Sequence, residues 1–347
     1  MKRIALFVII ILMTLSALAC SATEPESVAT ATPSKTPVKS AKPTPEPTPE
    51  PTLDPNSSRT TGLPFEGEYK PVMAVIENSP AARPQLGLQT ADVVYEVPVE
   101  GSITRFVCVF SDHVPEGIMP VRSGRVTFLD LQQEWDAILM HWGGSGSGVS
   151  GAPAYTFFGN ELHDKIKIDV DGWSGKWNDY YKRVKDKKAP HNVKGNPLLV
   201  QGLYDYSPKP LDWKFDSQVS YSGNDVTQID LQMCSKDADF VSYTYDPVQD
   251  AYLRSMNGKA FVSAETDKQL SVKNIIVQYS TYDSMDVYKV WNMIGTGNAD
   301  IYIGGKLIKG SWEKRSADSQ TIFYDDKGEQ IVLRPGNTWI HIHPQND

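Results

Sequence analysis

Apolar and polar positions along the chain predict mostly strands. Residues 71–77, PVMAVIE, form a short apolar run closed by Asn78-Ser79-Pro80, which predicts a strand followed by a loop through Pro84. ADVVYEVPVE at 91–100 predicts a second strand, with Pro98 at a bulge or edge. ITRFVCVFS at 103–111 predicts a third, joined through Gly101-Ser102 as a hairpin. Residues 121–135 begin as a loop and turn helical near Thr127, with Val126, Leu129, Leu131 and Trp135 as the apolar face. DAILMHWGGSG at 136–146 then reads as a strand running into a glycine-rich loop, and the charged segment KWNDYYKRVKDKKAPHN as one short helix stopped by Pro190.

Beyond a soft boundary between 200 and 225, alternation takes over. FVSYTYD, AYLRSM, NIIVQYSTY, ADIYIGGKLIKGSWEK and TIFYDDKGEQIVL read as strands, with turns at Gly304-Gly305 and Lys327-Gly328. The last, NTWIHIHP, puts Trp339, His341 and His343 on one face and Ile340 with Ile342 on the other, the histidine pair being expected on a solvated face. A metal there would need a third ligand that the sequence does not identify. The expectation is an α+β fold, a mixed α/β N-terminal domain at 62–205 followed by a β-rich C-terminal domain at 206–347.

The N-terminus changes the picture from a fold to an address. Lys2 and Arg3 precede an uncharged apolar run at 4–19, short for a membrane span and suited to a signal peptide. The run ends Ala17-Leu18-Ala19-Cys20, which predicts a leader at 1–19 and lipid on Cys20. Several acyl chains hold far more firmly than one, since each buried CH₂ adds about 0.8 kcal/mol. Residues 21–60 contain nine prolines, and 42–52 read KPTPEPTPEPT. Proline removes the amide donor and fixes φ, so 20–61 is expected as an extended or disordered spacer. The expected location is the outer side of a membrane, of a Gram-positive cell. The formal charge of -8 argues against nucleic acid as a partner. Cys108, inside RFVCVF, reads as a buried thiol, and with Cys234 it does not make a disulfide framework.

Candidate chemistry lies in the first half. Asp92, Glu96 and Glu100 are four apart, on one face of a regular strand. Arg122 and Arg125 flank Ser123-Gly124, and Arg105 starts the third strand. Guanidinium groups match phosphate or carboxylate with fixed donors, so the three could form an anion cradle or neutralise Glu96 and Glu100. His141 ends a strand beside Gly143, Gly144 and Ser145, and His191-Asn192 follow Pro190. The glycine loop lacks the layout of an ATP-binding loop or a nucleophile elbow. The candidate ligand group is therefore Arg105, Arg122, Ser123, Arg125, His141, Gly143, Gly144, Ser145 and Asn192, with His141, His191 and Glu96 as candidate acid–base residues. No cofactor is implied.

The run PVMAVIENSPAARPQLGLQTADVVYEVPVEGSITRFVCVF, then PVRSGR, HWGGS and APHN, resembles the YerB-like lipoproteins of Gram-positive bacteria, built from the N- and C-terminal pieces of domain of unknown function 3048. The resemblance covers about residues 65–345. In the second half it rests on Tyr245-Asp246, Tyr252 with Arg254, NIIV, Gly295, Trp312 and PGNTWI. This chain has Ser-Gly-Arg at 123–125 where the family commonly has Ser-Ala-Arg, and GKAF at 258–261 lacks a His and an Asp common there. The resemblance implies location and layout, and no reaction. The favoured expectation is a lipid-anchored module that binds an anionic envelope polymer or lipid phosphate. The alternatives are a hydrolase or transferase acting on such a substrate, and a scaffold for another envelope protein.

Overall fold

A computed structural model describes residues 56–144, 166–209, 211–234, 240–285 and 287–345. The expected leader, Cys20, most of the spacer, and Ser145 with the loop that follows lie outside the described residues.

The three apolar runs of the first half are the strands β1 (Val72–Glu77), β2 (Val93–Pro98) and β3 (Thr104–Phe110). Every residue in them is buried, because both faces of this part of the sheet are covered. β3 pairs antiparallel with both neighbours, so β1 and β2 point the same way. Between β2 and β3 the chain turns through Glu100–Ser102, where Gly101 has φ +73°, a conformation that glycine adopts without a Cβ clash. Helix α1 (Thr127–Trp135) buries Phe128, Leu129, Leu131 and Trp135. It ends where Asp136 enters the left-handed region and its N–H meets the carbonyls of Gln132 and Gln133. β4 (Ile138–His141) and β5 (Asp169–Asp171) then add in parallel beside β1.

The described residues are strand-rich with few helices. The helix expected within KWNDYYKRVKDKKAPHN is instead a hairpin, β6 (Tyr181–Arg183) against β7 (Val193–Gly195). Tyr181 is the reason: it is buried, stacks edge-on against Trp142 and donates its hydroxyl to the Val170 carbonyl at 2.6 Å. A Cβ on Gly172 would collide with Trp142, so glycine permits that stack.

The sequence segments 62–205 and 206–347 share one sheet. The closing strand Thr338–Pro344 pairs in parallel with β2 on one side and with Asn274–Ser280 on the other. From there the eleven-stranded sheet continues through the hairpin Gly295–Ile303 and Lys306–Lys314 to Ile322–Asp325. The described residues of Pro51–Asp347 accordingly form one compact unit. One face of the sheet, with Ala74, Phe106, Cys108 and Trp339, packs on a second, five-stranded sheet that supplies Val241, Tyr243, Tyr252 and Val272. The other face, with Val75, Tyr95, Val107 and Ile340, packs on α1, Trp213 and Trp291. Cys108 and Cys234 are both buried.

Candidate functional site

The strand directions gather charge at one end of the sheet. Glu77 ends β1, Glu100 follows β2, Arg105 begins β3 opposite Glu77, and His141 ends β4. Arg122 is brought alongside because its N–H bonds the Val75 carbonyl, continuing the bridge between Val121 and Ile76. Its carbonyl in turn accepts from Trp142 N–H at 3.0 Å.

Two of the three predicted arginines are paired. Arg125 forks onto Glu100, with Nε at 2.9 Å from Oε2 and Nη2 on Oε1, and its Nη1 donates to the carbonyls of Ser123 and Gly124. Its guanidinium also lies over the Tyr288 ring, 5.6 Å from the centroid. Arg122 Nε lies 3.3 Å from Glu77 Oε2, an ion pair without hydrogen-bond alignment. Glu77 is otherwise held by His191 Nδ1 at 2.8 Å and Ser79 Oγ at 2.8 Å. Arg105 differs. It is only 3% exposed, and its Nε and Nη1 are sealed from solvent with no hydrogen-bond partner among the described residues. Burial, then the positive fields of Arg125 and Arg122, pull its pKa down to about 9 against the opposing pull of Glu100 and Glu77.

His141 is fixed rather than poised. Its Nδ1 lies 2.8 Å from the Gly143 carbonyl and its Nε2 2.7 Å from Asp169 Oδ1. A carbonyl and an ionised carboxylate both accept, so this geometry suits the imidazolium with two donors. Burial opposes the charge, but Asp169 and then Asp171 raise the pKa above its ordinary value. Asp171 Oδ1 also accepts from the amides of Gly143 and Trp173 at 2.7 and 2.9 Å, which fixes the loop start. Ser123 Oγ donates to the Trp142 carbonyl, and Gly124 N–H to Gly143. Gly144 bridges Gly124, while Ser145 lies outside the described residues. Asn192 serves the hairpin, bonding the Val184 carbonyl and accepting from Arg183.

The three spaced carboxylates part company. Glu100 belongs to Arg125. Asp92, at the other end of β2, accepts from Thr60 Oγ1 at 2.8 Å and from the amides of Ser111 and Asp112. Burial and the adjacent Asp112 raise it to about 7. Glu96 is fully buried between the two sheets. Its Oε1 accepts from Asn78 Nδ2 and Thr104 Oγ1, and its Oε2 from Arg254 Nη2 at 2.8 Å, with His341 Nδ1 3.2 Å away. Arg254 also donates to Tyr243 OH at 2.6 Å and sits 4.8–5.6 Å from the ring centroids of Trp339, Phe261, Tyr243 and Phe106. Burial would raise Glu96, yet Arg254, with His341 and Thr104, holds it down at about 2. Glu96 has no open side for a substrate. His341, expected on a solvated face, is fully buried and bonds Tyr243 OH through Nε2 at 2.9 Å; the second sheet covers that face.

Sequence reading missed Glu77 and Arg254 as partners. Each carried a signal: Glu77 ends an otherwise apolar strand, and Arg254 falls between Tyr252 and Met256 on the buried face of its strand. Asp169 and Asp171 carried no signal that singled them out.

Comparison with known proteins places this architecture. Residues 60–207 match the "Protein of unknown function (DUF3048) N-terminal domain", and residues 229–340 its C-terminal domain. The chain is 31% identical over 307 residues to "Putative lipoprotein YerB" of Bacillus subtilis (strain 168), covering 81% of this chain and 83% of that protein. The crystal structure of the YerB protein from Bacillus subtilis superposes with a TM-score of 0.70 at 26% identity, covering 83% of this chain and 97% of that one. With both family domains in order and a relative matched over most of its length, this chain belongs to the DUF3048 family.

Proposed function

We propose that this chain is a lipoprotein tethered through Cys20 on the outer face of a Gram-positive cell membrane, and that its folded part binds an anionic ligand of the envelope at Arg105, Arg122 and Arg125. The leader, the cysteine and the proline-rich spacer support the address, together with the lipoprotein name of the Bacillus subtilis relative. The observation that carries the binding reading is Arg105. A buried guanidinium without an acceptor is costly, because a buried donor left unmade loses its hydration with no return. Here it also stands beside two further guanidiniums. An incoming anion relieves both costs at once. Binding is favoured over catalysis because both nitrogens of His141 are engaged, Glu96 is enclosed, and His191 is spent on Glu77.

The address is tested by fractionating cells that express the full chain or Cys20→Ala. The wild type should sediment with membranes and take up labelled fatty acid, and the variant should do neither. The site is tested by native mass spectrometry of the full chain extracted gently from its own membranes. An acidic adduct should accompany the wild type and be absent from the Arg105→Gln/Arg122→Gln double variant. An adduct retained by the double variant, or a wild type without one under any gentle condition, ends the binding reading.

A further inference from the structure

The hairpin that stands in place of the expected helix concentrates positive charge. Residues 176–194 hold seven Lys or Arg and two Asp, a net +5 in a chain of formal charge -8. We infer that the β6–β7 hairpin and the apolar side chains beside it form a second contact with the membrane, on a bilayer surface that carries anionic headgroups. This rests on the lipid-tether reading above and is independent of the arginine group.

Charge comes first. Lys182 and Lys194 stand directly opposite across the two-stranded ladder. Tyr181 turns into the core, so alternation turns Lys182 outward. Like charges in that arrangement repel, and neither lysine forms an ion pair with a described residue. The same holds for Arg183, Lys185 and Lys188, all exposed. Lys187 is spent within the fold, donating to the carbonyls of Ala82 and Pro84 at 2.6 and 3.0 Å, which pins the hairpin loop. The nearby acids do not cancel the excess. Asp179 and Glu116 border the groove that Lys182 and Lys194 share, and counting Glu116 as well leaves +4. Asp169 and Asp171 face His141, and Glu77 faces Arg122 and His191.

Apolar surface then chooses the partner. Trp173 is 61% exposed and stacks edge-on against Trp142, and the Arg183 guanidinium lies 5.0 Å from the Trp142 ring centroid. Leu198 and Leu199 are exposed just after β7, and Leu199 borders the groove with Lys182 and Lys194. A hydrated polyanion would meet the lysines and leave these side chains in water. A bilayer takes both, with Trp and Leu entering the headgroup boundary and the cations staying at its surface. The tether brings the two together. Residues 21–55, at about 3.1 Å each when extended, reach on the order of 100 Å. The bilayer is thus always within range, and an attraction too weak to hold a free protein suffices.

The test places the lipidated full chain, extracted from its membranes, in vesicles of phosphatidylcholine alone or mixed with phosphatidylglycerol. Flotation with the neutral vesicles reports the tether by itself, and lysine acetylation read by mass spectrometry reports the hairpin. On the mixed vesicles Lys182, Lys185 and Lys188 should be labelled roughly fivefold more slowly than on the neutral ones. Lys327, beside the strand at the opposite edge of the large sheet, should be labelled at an unchanged rate. Salt at about 1 M should remove most of the difference. Lys182→Glu/Lys185→Glu, at two exposed positions, should make Lys188 labelling independent of phosphatidylglycerol, and Trp173→Ser should reduce the protection about twofold. Equal labelling of the three lysines on both vesicles overturns the inference, while flotation leaves the tether standing. Protection on neutral vesicles by added poly(glycerol phosphate), equal to that given by phosphatidylglycerol, also overturns it and makes a soluble polymer the partner. Failure to float with neutral vesicles ends the tether reading, and this inference with it.

Discussion

Two buried guanidiniums stand on opposite faces of the same sheet and live by opposite rules. Arg254 is fully enclosed, yet it donates to Glu96 and Tyr243 and is ringed by four aromatic faces. Arg105 is almost as deep, and its nearest charges are two other arginines and two carboxylates already in use. The first arrangement pairs the charge with a carboxylate, leaving only Nε without a hydrogen bond among the described residues, and joins the halves of the chain, since Glu96 belongs to β2 and Arg254 to the second sheet. The second is incomplete within the protein. A buried charge that donates to a carboxylate reads as structure, and one that donates to none reads as a place for something else.

The contrast is most directly broken at Glu96. Glu96→Ala strands Arg254 in an apolar enclosure, and urea unfolding should report a loss of about 3–5 kcal/mol. Replacing Arg254 by Met in the same chain should recover part of that loss, as removal of both charges leaves nothing unpaired. A loss below 1 kcal/mol for Glu96→Ala would mean that Arg254 is as poorly served as Arg105.

Asp92 supplies a third case, a buried carboxylate without a cation. Its pKa is raised from 3.8 to about 7 by burial and by Asp112. The stability its protonation contributes is therefore complete below 3.8 and lost as the pH climbs through about 7. Asp92→Asn should be the more stable chain at pH 8, by on the order of 1–2 kcal/mol, with the advantage shrinking toward pH 4. Thermal denaturation across that range checks the sign. Glu96 runs the other way, since its lowered pKa makes its contribution present above 4.5 and lost as the pH falls through about 2.

Arg105→Met should go against the usual direction for a core substitution. It removes an unpartnered buried charge, so stability should hold or rise by about 1 kcal/mol while anion binding disappears. A destabilisation of several kcal/mol would place Arg105 in the same class as Arg254. The smallest effect is expected at Asn192, whose bond to Arg183 is exposed. Asn192→Ala should cost under about 1 kcal/mol and leave anion affinity unchanged.

Element by element, the readable parts were those whose burial is set locally. β1, β2, β3, α1 and the long strands of the second half follow apolar runs or alternation, because a chain with that pattern has one economical way to turn its apolar groups inward. The β6–β7 hairpin departs from the expected helix because the exposed Lys182 and Arg183 carry no period, and in β6 only Tyr181 reaches the core. For the closing strand the alternation was right and the exposure of His341 wrong. A strand's own pattern separates its two faces but does not say that a sheet from residues 228–272 will cover one of them.

By itself the sequence determined the leader-like start, the spacer that cannot build a core, the sheet-forming segments and which residue types were available for charge recognition. Only the tertiary structure decided how those charges are shared. Glu96 met Arg254 across 158 positions of chain, Glu77 took Arg122 and His191, Glu100 took Arg125, and Arg105 was left. The reason is physical. Local pattern follows from the period of a helix or strand, while the partner of a buried charge depends on which distant segments close over it and how much water they exclude.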